Sequence, residues 1–418
     1  MKLLVFSHKP PPHHGQSYMT KLMIDSFGGD HRKHVRPAHP PASPDNSIEC
    51  YHVDARLSKS IDDIGRPRKG KILLLLKYCF EAVWCRVRYG VRNFYYVPAP
   101  GQRVPLYRDW IVMAICRPFF RKIIFHSQGV GLGTWLAEKA HAWERFISRP
   151  LLGKVDLSII LSESYRAEAA KLSPRRVEIV PNGIADPCPD FDSTVLPRRL
   201  SRVAARRQLI DQQASTEAHE EIAGKDGNIF RLLYLSMCHR EKGLFDLLEA
   251  VALFHLKLRK LNSPIRVRLD VAGDFFHELE RNEFEKRIAQ PDLQDERTPV
   301  VKYHGFTERE AKSRLLRESD CFCLPTYYQA EGQPVSLVEA LAFGLPVITT
   351  RWRAIPDLFP PDYPGLVAIK SPAEIAARFE CFLRDYPAAN FRETFLTRFT
   401  EERFVKNLKA AILTAATD

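Results

Sequence analysis

A short apolar run, then a turn, then a helix-length segment: this unit recurs along most of the chain, and few folds accept such a pattern. Lys2-Leu3-Leu4-Val5-Phe6-Ser7 has the length of a buried strand and leads through Pro10-Pro11-Pro12-His13-His14-Gly15-Gln16 into a helical pattern. Further strand-like runs at 94–97, 123–126, 157–161 and 177–180 are each separated by a helix-length segment. Strands that alternate with helices predict a parallel sheet covered on both faces. Residues 31–50, rich in His and Pro, read as a surface loop. After Pro181-Asn182-Gly183 the pattern weakens, and 186–227 is mostly polar, which predicts a linker or insert with one basic helix inside. Alternation restarts with 231–236, a helix over 244–258 and strands at 267–272 and 321–324. The expected organisation is a first domain over 1–185, the linker over 186–227, a second domain over 228–395, and a C-terminal helical segment over 396–418 that crosses back to the first. Two α/β halves of similar size place a ligand cleft between them, at the carboxyl ends of their strands.

Composition narrows the function. At roughly 100 to 200 residues per domain, 418 residues suffice for two or three domains. With 45% hydrophobic and 27% charged residues the chain is not a disordered one. Lys and Arg number 62 against 50 acidic residues, a formal charge of +12 that favours anionic partners. Nine Cys without a C-x-x-C pair argue against a disulfide framework or a zinc site and for a reducing cytosol. The apolar stretch 3–6 is too short for a signal-peptide core, and no apolar run approaches the roughly 20 residues of a spanning helix.

The densest chemistry lies between 329 and 348, in Gln329-Ala330-Glu331-Gly332-Gln333-Pro334-Val335-Ser336-Leu337-Val338-Glu339-Ala340 and the following Leu341-Ala342-Phe343-Gly344-Leu345-Pro346-Val347-Ile348. This reads as a Gly-bearing loop, a helix starting near Ser336, a stop at Gly344 and a strand. Backbone amides of Ser336, Leu337 and Val338 at the helix start suit a phosphate, because unpaired N–H groups and the positive dipole end coincide there. Carboxylates such as Glu331 and Glu339 accept hydrogen bonds from sugar hydroxyls. Ser336-Leu337-Val338-Glu339 is equally a capping box that satisfies the helix start, and the residues alone leave both readings open.

The whole run resembles retaining glycosyltransferases of family 4, a group with the GT-B fold of two Rossmann-like parallel-sheet domains facing each other across a cleft. The shared signature is a Glu, seven residues and a second Glu, here Glu331 and Glu339, after Leu324-Pro325 and before Ala342-Phe343-Gly344-Leu345-Pro346-Val347. The resemblance extends over most of both halves. It implies that Lys242, in Glu241-Lys242-Gly243, is the Lys that holds the donor diphosphate. Met237 stands where many members carry an Arg, five positions earlier, and Arg240 is the nearby substitute. Gly15 corresponds to the Gly-rich turn that approaches donor phosphates and acceptor, as one Gly after His14 where the family has two. His126 matches a His that contacts the transferred sugar, though a His packed at a strand end fits the same residues. Pro181-Asn182-Gly183-Ile184 matches the turn closing the first domain, with a structural role.

What the resemblance implies is a metal-independent enzyme that moves a hexose from a nucleotide diphosphate sugar to a sugar or lipid-linked hydroxyl acceptor with retention, without a further cofactor, in cell-surface polysaccharide or glycolipid synthesis. Glu331, His126 and Lys242 would be catalytic; Gly15, Arg240, Gly332, Ser336, Leu337, Val338 and Glu339 would bind the donor. Met237, the single Gly15 and Ala354-Ile355-Pro356-Asp357, where the family has Gly-Gly-x-Pro-Glu, keep an inactive binding module of the same fold in view, with a sugar-nucleotide epimerase as a third reading.

Competing signals are weaker. Gly129-Val130-Gly131-Leu132-Gly133 lacks the dinucleotide spacing. Asp190-Phe191-Asp192 reads as two solvated acids in the linker, and His31, His34 and His39 lack metal-ligand spacing. Residues 71–92, from Lys71 to Arg92, predict one long helix with Ile72, Leu75, Leu76, Cys79, Val83 and Val87 on one side. Lys77, Arg88 and Arg92 lie on another side with Glu81 among them and Trp84 at the border, after Arg66, Arg68 and Lys69. Such a basic stripe suits an anionic membrane surface at the cytoplasmic face, and an ordinary solvated face equally; nucleic acid is not expected.

Overall fold

A computed structural model describes residues 1–11, 15–33, 47–57, 69–211, 227–295, 299–386 and 390–417. His34, His39, Arg66, Arg68 and the polar stretch 212–226 lie outside the described residues. The chain divides into two compact units: Met1–Gly183 with Gln329–Pro334 and Glu401–Asp418, and Ile184–Tyr328 with Val335–Thr400.

The first unit holds a parallel sheet of six strands: β1 (Lys2–Ser7), β2 (Glu49–Asp54), β3 (Asn93–Tyr96), β4 (Lys122–His126), β5 (Leu157–Ile160) and β6 (Val177–Ile179), in the order β2-β1-β3-β4-β5-β6. Strands β1, β3 and β4 are buried along nearly their whole length, as continuous apolar runs in a doubly covered sheet must be. Side chains alternate between two cores: Leu4 and Phe6 enter one, Leu3 and Val5 the other. Its helices are α1 (Gly15–Ser26), α2 (Lys69–Tyr89), α3 (Arg103–Cys116), α4 (Leu132–Glu138), α5 (Ala142–Leu152) and α6 (Arg166–Ala170). Leu75 and Cys79 of α2, Leu106 and Met113 of α3 and Leu152 of α5 fill the first core. Met19 and Leu22 of α1 fill the second together with Phe404, Leu408 and Ile412 of the last helix, Glu401–Thr417. Each such side chain contributes about 1.5–3 kcal/mol by leaving water. The last two residues of the stretch read as a His- and Pro-rich surface loop, Glu49 and Cys50, are in fact the start of β2; Cys50 is buried beside β1, as are Tyr51, His52 and Val53 after it.

The second unit repeats the architecture with β7 (Ile229–Leu235), β8 (Arg266–Ala272), β9 (Val301–Gly305), β10 (Cys321–Leu324), β11 (Val347–Thr350) and β12 (Leu366–Val367), in the order β12-β11-β10-β7-β8-β9. Both central strands, β10 and β7, lead directly into the loops that carry the candidate residues below.

The polar segment before β7 is anchored to this unit. It carries α7 (Leu196–Ile210), whose Arg199 and Arg206 are fully buried. Arg199 Nη1 donates to the carbonyls of Phe343 (2.7 Å) and Gly344 (3.1 Å), satisfying orphan acceptors past the end of the helix Val335–Ala342. Arg206 and Arg202 both pair with Asp320, at 3.0 and 2.9 Å, and Asp320 also accepts the backbone N–H of Arg231 at 3.0 Å. Burial acts to raise the Asp320 carboxyl, but Arg206 and Arg202 outweigh it and hold the group below the usual carboxylate range. Asp190, with its side chain 40% exposed, is ion-paired as well as solvated. Both its oxygens accept from Arg317, at 2.7 and 2.8 Å, and that hydrogen bonding depresses its carboxyl to about 2; Asp192 is exposed.

Candidate active site

The residues expected to carry chemistry divide between the units. In the second, the segment after β7 turns sharply through Arg240–Lys242, with His239 Nδ1 accepting the Glu241 N–H at 3.2 Å. Gly243 closes the turn at φ +79°, and a Cβ there would lie 2.2 Å from the Pro325 carbonyl oxygen, so only Gly lets this turn approach the loop after β10. That loop returns the contact: Tyr327 N–H and Thr326 Oγ1 donate to the Glu241 carbonyl, at 2.7 and 3.3 Å. Lys242 is thereby buried with its ammonium 4.8 Å from the centre of the Tyr328 ring, a cation over an aromatic face. His239, Phe276, His277 and Tyr328 form an aromatic cluster around the turn, with His239 ring centres 6.2 Å from Tyr328 and 6.4 Å from Phe276. Sequence reasoning passed over this cluster; Phe275-Phe276-His277 directly after β8 was the signal available.

The Arg240 guanidinium pairs with both oxygens of Glu283 at 2.5 Å and covers the Phe245 ring at 4.4 Å, with both side chains of the ion pair about half exposed.

The helix expected near Ser336 runs from Val335 to Ala342. Leu337 and Val338 are fully buried and fix its first turn, whose backbone N–H groups have no partner within the helix. Glu339 stands on this helix with its Oε1 2.5 Å from the ammonium of Lys312, on the neighbouring helix Arg309–Glu318. Such a carboxylate keeps lone pairs beyond the one the ammonium takes. Lys312 lies 27 positions from Glu339 and escaped the sequence reading.

In the first unit, Gln329–Pro334 brings Glu331 to the carboxyl-terminal side of the sheet. Tyr165 Oη lies 3.1 Å from the Glu331 carbonyl oxygen and 2.8 Å from that of Gly332. The Asn182 N–H donates to Gln333 Oε1 at 2.8 Å, so the Pro181-Asn182-Gly183 turn is a holder of this loop. Gly332 packs so tightly that an added Cβ would sit 2.2 Å from the carbonyl oxygen of Gln128. Glu331 itself is buried.

Gln128 also reaches His126: its side-chain amide is 2.9 Å from His126 Nε2, while Tyr95 Oη is 2.5 Å from Nδ1. Both edges of the imidazole are engaged. Burial pushes the ring down to about 3, so it is neutral at physiological pH, with Phe404 stacked beside it. Gly15 opens α1, half-buried, after β1 and its following turn. The glycine run 129–133 offers no anion site, because Glu168 accepts the N–H groups of Gly133 (2.7 Å) and Thr134 (3.0 Å) and fills the start of α4 itself. Among the described residues, no group of three or more His, Cys, Asp or Glu side chains is placed to hold a metal ion, and no helix is long and apolar enough to cross a membrane.

Residues 215–395 match the family of glycosyl transferases group 1. The amylovoran biosynthesis glycosyltransferase AmsK of Erwinia amylovora is 31% identical over 151 residues, covering 35% of this chain and 34% of that protein, so the chain spans about a third of that relative's length. Sucrose-phosphate synthase from Thermosynechococcus elongatus superposes with a TM-score of 0.65 at 15% identity, over 100% of this chain and 99% of that one. Anabaena HepE in complex with UDP and glucose gives 0.61 at 14% identity, over 98% of each chain. The family match is confined to residues 215–395, and the chain's two parallel-sheet units have the GT-B fold.

Proposed function

We propose that this protein is a retaining glycosyltransferase of family 4 that moves a hexose from a nucleotide diphosphate sugar to the hydroxyl of a sugar or lipid-linked acceptor in cell-surface polysaccharide synthesis. The observation that carries this reading is the buried Lys242 ammonium, fixed over Tyr328 by the turn at Gly243, in the same unit as the first turn of Val335–Ala342. A cation and a helix start serve a departing diphosphate. The relative AmsK acts in amylovoran biosynthesis and HepE binds UDP and glucose, which supports an activated-sugar donor and a polysaccharide product.

In this mechanism the bond between the anomeric carbon and the diphosphate oxygen breaks, the electron pair leaves with the diphosphate, and the acceptor oxygen bonds to the same face of the carbon. The acceptor proton passes to the leaving phosphate oxygen. Lys242 and the amides of Ser336, Leu337 and Val338 stabilise the charge gathering on the diphosphate. Glu339, braced by Lys312, holds the ribose hydroxyls; Glu331 and the backbone of Gly332 hold the transferred sugar. His126, neutral with a single ring N–H, keeps Gln128 in place beneath that loop and takes no part in proton transfer, and Gly15 gives the phosphates and acceptor close approach. The chemistry needs no metal. The enzyme works in the cytoplasm at the inner face of the membrane.

Incubating the protein with UDP-, GDP- and ADP-hexoses, candidate acceptors and a chelator tests this. Release of nucleoside diphosphate with an acceptor product whose anomeric configuration matches the donor is expected. A Lys242→Ala variant should lose about two orders of magnitude in turnover. Wild-type turnover in that variant, or isomerisation of the donor without transfer, would overturn the assignment.

A further inference from the structure

Helix α2 is apolar on two opposite faces. Inward, Leu75, Cys79, Ala82 and Cys85 are 4% exposed or less and pack into the sheet's first core. Outward stand Ile72 (53% exposed), Leu73 (70%), Leu76 (40%), Phe80 (73%), Trp84 (47%) and Val87 (75%). With 3.6 residues per turn these six fall in an arc of about 120° that runs along the helix, where a solvated helix would carry its charges. The apolar side read from the sequence is thus divided: Leu75 and Cys79 are buried with Ala82 and Cys85, whereas Ile72, Leu76 and Val87 face solvent. The basic residues form the borders of this ridge. Lys77 and Arg88 are exposed along one edge, and on the other Arg86 donates from Nε to the carbonyl of Phe119, whose ring is 48% exposed. Glu81, the acid within α2, is taken by Arg32 at 2.6 Å, so the face is cationic.

An apolar ridge edged by cations matches a surface that is apolar within and anionic at its rim. A second copy of this chain does not, because an antiparallel two-fold contact would set Lys77 of one ridge towards Arg88 of the other. We infer that α2 lies in the plane of an anionic phospholipid membrane, its outer apolar side chains inserted at the acyl boundary, with Lys77, Arg86 and Arg88 among the headgroups. Insertion and headgroup attraction together hold the helix there. This inference stands on the exposed ridge alone and is read without turnover, so its fate and that of the transferase reading are separate.

Flotation of the full chain with vesicles tests it. Binding to mixed phosphatidylglycerol and phosphatidylcholine vesicles is expected, with much weaker binding to phosphatidylcholine alone. The variant Phe80→Asp with Val87→Asp should lower partitioning at least about tenfold. Since both residues are exposed, its circular dichroism and thermal midpoint should match wild type, and Phe80→Ser serves as a milder second variant. Trp84 fluorescence, taken as wild type minus Trp84→Phe, should be quenched by brominated acyl chains. The proposal fails if neither Phe80 variant changes partitioning, if phosphatidylcholine binds equally well, or if the wild type ignores vesicles and instead forms a dimer that Phe80→Asp abolishes.

Discussion

Lys312 holds Glu339 by a 2.5 Å contact between two helices of the second unit, with the Glu339 side chain 15% exposed. On the proposed role of Glu339 as acceptor of two ribose hydroxyls, the carboxylate gains from being fixed before the ligand arrives, since its side-chain entropy is then already lost. Replacing Lys312 by Met keeps the stem and removes the charge. We expect KM for the nucleotide sugar to rise about tenfold, equivalent to about 1.4 kcal/mol, with kcat little changed, because the ribose is bound alike in ground and transition states. Initial-rate kinetics check this; an unchanged KM would show that Glu339 does not depend on Lys312.

Gly332 and Tyr165 predict a different signature. The Gly332→Ala methyl has to displace the Gln128 carbonyl 2.2 Å away, or the loop 329–334 has to lift, and either outcome moves Glu331. A misplacement near 1 Å costs about 100-fold in turnover when positioning is the catalytic device. Tyr165→Phe removes the hydroxyl that meets the Glu331 and Gly332 carbonyls and should lower kcat less. Tyr165→Phe should keep the wild-type unfolding midpoint within a few degrees in calorimetry, whereas Gly332→Ala should lower it through the same displacement.

These contacts explain which parts of the molecule were legible in its sequence. Continuous runs such as Leu3-Leu4-Val5-Phe6 announce buried parallel strands without any partner being known, because burial on both faces is a property of the strand itself. The Glu331 and Glu339 run was visible for the same local reason. Helix α2 was visible in length but not in orientation: Ala82 and Cys85 carry little hydropathy, while Phe80 and Val87 carry much, so a count of apolar residues does not separate the two faces. Arg199 and Arg206 read as a basic linker helix, since nothing near them in sequence reveals Phe343, Gly344 or Asp320, each more than 100 positions away. Tyr165 and Lys312 were missed because their partners, Glu331 and Glu339, stand 166 and 27 positions away.

Asp320 is the acid on which α7 is fastened. Removing it leaves Arg206 buried with no carboxylate, and breaking a buried pair in this way costs about 3–5 kcal/mol. Asp320→Ala should therefore lower the urea midpoint strongly, with Asp320→Asn intermediate. The pH dependence has a definite sign. The folded carboxyl sits below its unfolded value, so its stabilising effect is complete above the unfolded range near 4 and is lost as pH falls through the folded value. Denaturation from pH 6 to 3 should show a steeper loss in wild type than in Asp320→Asn.

His126 acts on stability in the same direction and over a higher window. Its ring titrates near 6.5 when unfolded and is pushed down to about 3 by burial, so between these values the unfolded chain binds a proton that the folded chain refuses. Stability attributable to this site is complete above about pH 6.5 and falls steadily as pH drops towards 3. His52, held at about 4 mainly by burial, loads the same window, so the informative quantity is the difference between wild type and His126→Gln. That variant should flatten the decline between pH 6 and 4 while losing some stability at pH 7.5, because the contact with Tyr95 is weakened. A neutral His126 also makes a kinetic prediction: turnover should show no inflection near 6.5 that vanishes in His126→Gln. Such an inflection would mean that the ring gains a proton during catalysis, and that the contacts with Tyr95 and Gln128 open when substrate binds.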